Sequence, residues 1–208
     1  MIHFAISNHL YRGSPTPSLL IGSIAPDAVH VRGQITREEK GVTHLIQNGR
    51  FPSVELIMAE FKANLSRHSE LAWKDFVVGY FTHIYTDLRW TETIYADFES
   101  AYIGDAIRSV YNLEVSQVEF EIQRSIQNYD EIMKSLSNAE GCTIGPYVTQ
   151  SEVNLYRDLK VEWLQDANNE PNIKPSYFTS RAVNRFIEET SIEIENLLRE
   201  YDIAYNIR

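Results

Sequence analysis

Residues 70–90 read ELAWKDFVVGYFTHIYTDLRW. The stretch is apolar over much of a helical circumference, which marks a helix surrounded by others. A helical wheel puts Trp73, Val77, Tyr80, Ile84 and Leu88 on one core stripe. His83 and Asp87 fall at its edge beside Phe76, and Asp75, Thr82, Thr86 and Arg89 form a polar face directed elsewhere. Gly79 is either a close-packing point for a neighbouring helix or a tolerated glycine.

Periodicity on either side of this helix is also helical. Pro52 fits a first helical turn, followed by Val54, Ile57, Met58, Phe61 and Leu65 on one stripe. Ser116 and Glu119 have capping-box spacing, and Val118, Ile122, Ile126, Tyr129, Met133 and Leu136 follow at steps of three and four. Residues 138–145 interrupt the pattern. Thr149 and Glu152 repeat the capping spacing ahead of Val153, Tyr156 and Leu159, and residues 169–178 are a second break. A last helix from about Ser180 carries Val183, Ile187, Ile194, Leu198 and Tyr201 on one side. Alternating strand patterns are absent. Residues 12–52 are rich in glycine and proline and read as irregular, with a few short turns. The expectation is a single all-α domain over residues 1–208 with a long irregular N-terminal loop region.

The 208 residues are 43% hydrophobic and 12% aromatic, enough for a substantial core. A single cysteine, Cys142, excludes an intramolecular disulfide and a thiolate zinc finger. The net charge of −10 argues against a broad nucleic-acid or anionic-membrane footprint. No apolar run approaches a membrane span, and the N-terminus lacks the pattern of a signal peptide. These features predict a soluble cytoplasmic protein.

All six histidines lie at or before His83. His83 and Asp87, one turn apart, share a helix face. Such a pair either offers two ligands to one metal or forms a hydrogen bond that locks the helix. Asp27 follows Pro26, and is either a ligand or the cap of the next turn; His30 is a ligand, a neighbour of one, or an exposed side chain. His44 lies just before the first long helix, and His3 near the start. His9 and His68 sit in polar surroundings, and Cys142 reads as an inert thiol. A set of His3, Asp27, His44, His83 and Asp87, without thiolates, suits Zn, Mn, Fe or Ni in a hydrolytic site. Arg37 and Lys40 are either phosphate contacts or part of a solvated charged loop.

His3, the segment Gly22-Ser23-Ile24-Ala25-Pro26-Asp27, Thr43-His44-Leu45 and Gly79-Tyr80-x-x-His83-Ile84-x-x-Asp87 together resemble the bacterial zinc-dependent phospholipase C family. The closest likeness is to its small unsecreted branch of phospholipase C/D-like hydrolases, over roughly residues 1–90. The resemblance implies the all-α phospholipase C / P1 nuclease fold and a zinc-type hydrolase of phosphoesters, mainly phosphodiesters. It implies that Asp27, His44, His83 and Asp87 hold one metal, and that His3 holds a second, bridged by Asp87. Asp27 or Asp87 is the implied general base. The N-terminal tryptophan and later histidines of secreted members are missing, which limits the expectation to one or two ions. The implied partner is a small phosphoester or a phospholipid headgroup. The rival reading is a non-catalytic helical protein with a structural or vestigial metal site.

Overall fold

The structure is a computed structural model, and it describes residues 1–201 and 203; the other positions of the expected 1–208 domain lie outside the described residues. The architecture is all-α. Among the described residues ten α-helices follow in order: α1 Ile2–Leu10, α2 Pro17–Gly22, α3 Arg37–Thr43, α4 Val54–Leu65, α5 Leu71–Trp90, α6 Ala96–Ala101, α7 Ile107–Ser125, α8 Tyr129–Ser137, α9 Gln150–Gln165 and α10 Ser180–Glu200. A 3₁₀ helix spans Ala25–Arg32, and one π turn, Thr91–Tyr95, continues α5 into α6. Among the described residues there is no strand beyond two isolated bridges, and no helix is long and apolar enough to cross a membrane.

α5 is the central helix, and it is more enclosed than its wheel predicts. The expected polar face is itself buried at Asp75, Thr82 and Thr86. The Asp75 carboxylate accepts hydrogen bonds from Tyr11 Oη and Thr16 Oγ1, both at 2.8 Å. Thr86 returns its hydroxyl to the Thr82 carbonyl at 2.8 Å. A polar residue can face the interior when its hydrogen bonds are met there, and periodicity alone does not distinguish that from solvent exposure.

α2 and α5 cross with their backbones in contact. A Cβ on Gly79 would lie 2.3 Å from the Leu19 carbonyl oxygen, and one on Gly22 would lie 2.2 Å from that of Phe76. No real side chain tolerates those distances, so Gly79 is the close-packing point. Phe4, Ile6, Leu19, Leu20, Ile21, Phe76, Tyr80 and Ile84 are fully buried around this crossing.

Residues 12–52 are not an irregular loop. They contain α2, the 3₁₀ helix and α3. Each is six to eight residues long, too short for a 3.6-residue period to show. The prolines mark starts: Pro17 follows the N-cap Thr16, and Pro26 lies in the first turn of the 3₁₀ helix. Pro52 lies before the N-cap Ser53 rather than within the helix. Ser116 and Glu119 do not cap a helix, because α7 already begins at Ile107. The stripe read from Val118 to Leu136 is divided between α7 and α8, with residues 126–128 between them. The second capping box is present: the Thr149 hydroxyl accepts from Glu152 N while Glu152 accepts from Thr149 N. α10 begins at Ser180 and buries Val183, Ile187, Ile194 and Leu198.

Candidate metal centre

The five expected ligands come together. α1 supplies His3, the 3₁₀ helix Asp27, the residue after α3 His44, and α5 both His83 and Asp87. Helix packing sets their positions. The α2–α5 crossing brings the Ser23 carbonyl to 2.7 Å from His83 Nδ1. A capping box of Thr36 and Glu39 starts α3, and Tyr80 Oη donates to the Thr43 carbonyl at 2.7 Å, which ties the end of α3 to α5. His44 Nδ1 lies 3.0 Å from the Lys40 carbonyl.

These two carbonyls decide the imidazole tautomers. A carbonyl oxygen only accepts, so each Nδ1 carries a proton and each Nε2 is turned to the centre. His44 Nε2 and His83 Nε2 lie 3.3 Å apart. His44 Nε2 is 3.5 Å from Asp27 Oδ1 and 3.5 Å from Asp87 Oδ2. His83 Nε2 is 3.5 Å from Asp87 Oδ2 and 3.8 Å from Asp27 Oδ2. Hydrogen bonds between ionised partners run about 2.7–2.9 Å, so these contacts are too long to be such bonds. A four-coordinate ion with bonds of about 2.0–2.1 Å separates neighbouring donors by about 3.3–3.4 Å. The spacing and chemistry of the donors therefore fit a metal ion, and two carboxylates would balance a divalent charge.

The electrostatics carry the same demand. Burial acts against the Asp27 carboxylate, but His44 at 3.5 Å and the charges of His83 and Lys40 outweigh it and hold Asp27 well below the usual range. Asp87 is likewise lowered, with His83, His3 and His44 overcoming burial. For His83 burial favours the neutral ring, yet Asp87 and Asp27 leave it raised. A positive charge is favoured between the imidazoles and the carboxylates, whether a proton or a cation supplies it.

A second group lies on the other side of Asp87. His3 Nε2 is 3.4 Å from Asp87 Oδ1, while Oδ2 faces His44 and His83. The His3 ring stacks on His83 with centroids 3.9 Å apart and planes 13° apart. Burial and the neighbouring His83 push His3 down to about 3, so it is a neutral ring. Its Nδ1 is buried without a hydrogen-bond partner. Together His3, His83 and Asp87, and separately Asp27, His44 and His83, could hold a metal ion.

Lys40 approaches Asp27 Oδ1 at 3.0 Å, whereas Arg37 is exposed and has no polar contact among the described residues. His30 lies at the margin: its Nε2 is 3.8 Å from Asp27 Oδ1, and its side chain is 45% exposed. His9 is exposed, and His68 lies edge-on to Trp73. Burial raises the Cys142 thiol, which keeps it protonated.

Beside the centre is a cavity of about 300 Å³, lined by His3, Asp27, Ser116, Glu119, Tyr156 and Lys160 among others. Glu119 Oε2 accepts from Lys160 Nζ at 2.7 Å, and Oε1 from the Met1 amino group at 2.5 Å. These wall residues, with Ser23 and Tyr80, were not identifiable as site residues from sequence. A carbonyl leaves no side-chain signal, and Tyr156 and Lys160 look like ordinary helix residues. No protein-family model, curated protein or solved structure matches the chain.

Proposed function

We propose that the protein is a metal-dependent hydrolase of small phosphoesters, most naturally phosphodiesters, of the phospholipase C / P1 nuclease type. The observation that carries this reading is the set of 3.3–3.8 Å separations among Asp27, His44, His83 and Asp87. These four would hold the first ion, and His3 with Asp87 would hold a second. Zinc suits the nitrogen and oxygen donors, and Mn, Fe or Ni are the alternatives. When bound, such an ion lowers the pKa of water to about 7 and offsets charge on a phosphoryl oxygen.

The chain's own residues do the rest. The Ser23 and Lys40 carbonyls hold both imidazoles with Nε2 inward. Asp27 lines the cavity and is kept ionised, so it can accept a hydrogen bond from an attacking water and orient it. Asp87 presents one oxygen to each donor group. A cavity of about 300 Å³ is at the small end for ligand sites, which favours a compact ester or a headgroup.

A structural metal site is the competing reading, and one feature favours it. Asp27, His44, His83 and Asp87 suffice to close a tetrahedron without water. Elemental analysis, hydrolysis of a chromogenic phosphodiester, and melting with and without chelator separate the two. The enzyme reading expects near-stoichiometric transition metal, turnover abolished by chelator, and a modest change in melting, because the long helices have apolar stripes of their own. A large loss of melting temperature with no phosphoester hydrolysed would establish the structural role instead. Absence of any transition metal after reconstitution would end both.

A further inference from the structure

α9 lies outside the metal-binding segments, yet it is held against the helix that carries Asp27. Arg32, at the end of the 3₁₀ helix, donates from Nε to Glu152 Oε1 at 2.7 Å and from Nη2 to the Tyr147 carbonyl at 2.8 Å. One turn after Glu152, Tyr156 is half-buried, with its ring 6.5 Å from that of His30. It lines the cavity that also holds His3 and Asp27. The Tyr156 hydroxyl has no hydrogen-bond partner among the described residues.

The other charged groups of this wall are already committed. Lys160 and the Met1 amino group both donate to Glu119. Burial, reinforced by the charges of Asp27, Glu119 and Asp87, keeps the Tyr156 phenol protonated. It is therefore a neutral donor in a cavity whose carboxylates would repel an anion unless a metal ion offsets them. A tetrahedral oxyanion brought to such an ion still needs a directional donor for an outward oxygen. Tyr156 is a free donor of that kind in the same cavity.

We propose that the Tyr156 hydroxyl donates a hydrogen bond to a non-bridging phosphoryl oxygen of the substrate, in the cavity it shares with His3 and Asp27. This rests on the phosphoester reading and adds a substrate-contacting residue from the half of the chain that holds no metal ligand. No bond is made or broken by Tyr156, and its proton stays on the phenol.

Tyr156→Phe tests it, because the ring and its packing are retained. The probe is inorganic phosphate, titrated calorimetrically into zinc-reconstituted protein, with metal content and melting temperature measured on the same samples. The expected result is unchanged metal content and melting, with phosphate bound about 10- to 100-fold more weakly than by the wild type. Equal phosphate affinity in both proteins would overturn the proposal and leave the metal centre standing. So would loss of metal or of melting temperature in Tyr156→Phe, which would make the residue structural. If zinc-loaded wild type binds no phosphate, the proposal fails while the metal reading survives. If wild type takes up no metal, the underlying reading fails and the proposal fails with it.

Discussion

Residues 1–90 and residues 91–201 contribute to the same cavity in different ways. The first segment supplies every candidate ligand, and the second supplies much of the wall, through Glu119 on α7 and Tyr156 and Lys160 on α9. Metal binding restricts both residue type and spacing, so the ligands leave a mark on the sequence. A wall needs shape and a few polar groups, and many sequences satisfy it. The two segments should therefore respond differently to substitution.

The largest expected effect is in the first segment. His83 faces Asp27, His44 and Asp87 and is anchored by the Ser23 carbonyl. Loss of a single supporting residue around a metal commonly weakens affinity about 10- to 100-fold, and His83→Ala removes a candidate ligand itself. Metal affinity should fall by more than about 100-fold, as read by elemental analysis after dialysis against buffer. Retention of stoichiometric metal would break the division between the segments.

A substitution in the second segment should do the reverse. The Glu114 carboxylate is buried and accepts from the backbone N–H groups of Ser176, Tyr177 and Phe178, at 3.0, 2.8 and 3.2 Å. Glu114→Ala leaves those donors without their acceptor, at a cost of about 2 kcal/mol. For a chain of this length that is roughly 4–8 °C of melting temperature, with metal content unchanged. Loss of metal in this variant would show that the two segments are coupled more tightly than the ligand positions imply.

The smallest effect lies at the junction. Arg32 pairs with Glu152, whose carboxyl its hydrogen bond lowers to about 2. A carboxylate with a depressed folded-state pKa stabilises the fold above its unfolded value near pH 4.5, and that contribution is lost as pH falls toward about 2. Both side chains are partly exposed, so the pair contributes below about 1 kcal/mol. Arg32→Met should melt slightly below the wild type at neutral pH, and the difference should narrow as the pH drops below about 4.5. A gap that widens on acidification would exclude the ion pair as its source.

Much of the helical layout was legible. The strong 3.6-residue pattern of α5 identifies it as central, and the starts of α9 and α10 follow from Thr149–Glu152 and from the residues around Ser180. Three features were not legible, for separate reasons. The helices of residues 17–43 are too short for a 3.6-residue period to show. The break between α7 and α8 is masked because apolar residues continue at helical spacing through Ile126. Asp75 looks solvent-facing until Tyr11 and Thr16 are seen to satisfy it.

The sequence alone specifies an all-α chain and a group of histidines and aspartates that could hold a metal ion, because helical period and ligand chemistry are local properties. Only the tertiary structure decided how those side chains meet. Two glycines let the α2 and α5 backbones touch, and that contact places the Ser23 carbonyl against His83. Tyr80 brings the end of α3 to α5, and Arg32 holds α9 over the cavity. These contacts join residues far apart in the chain, where no sequence spacing can express a distance.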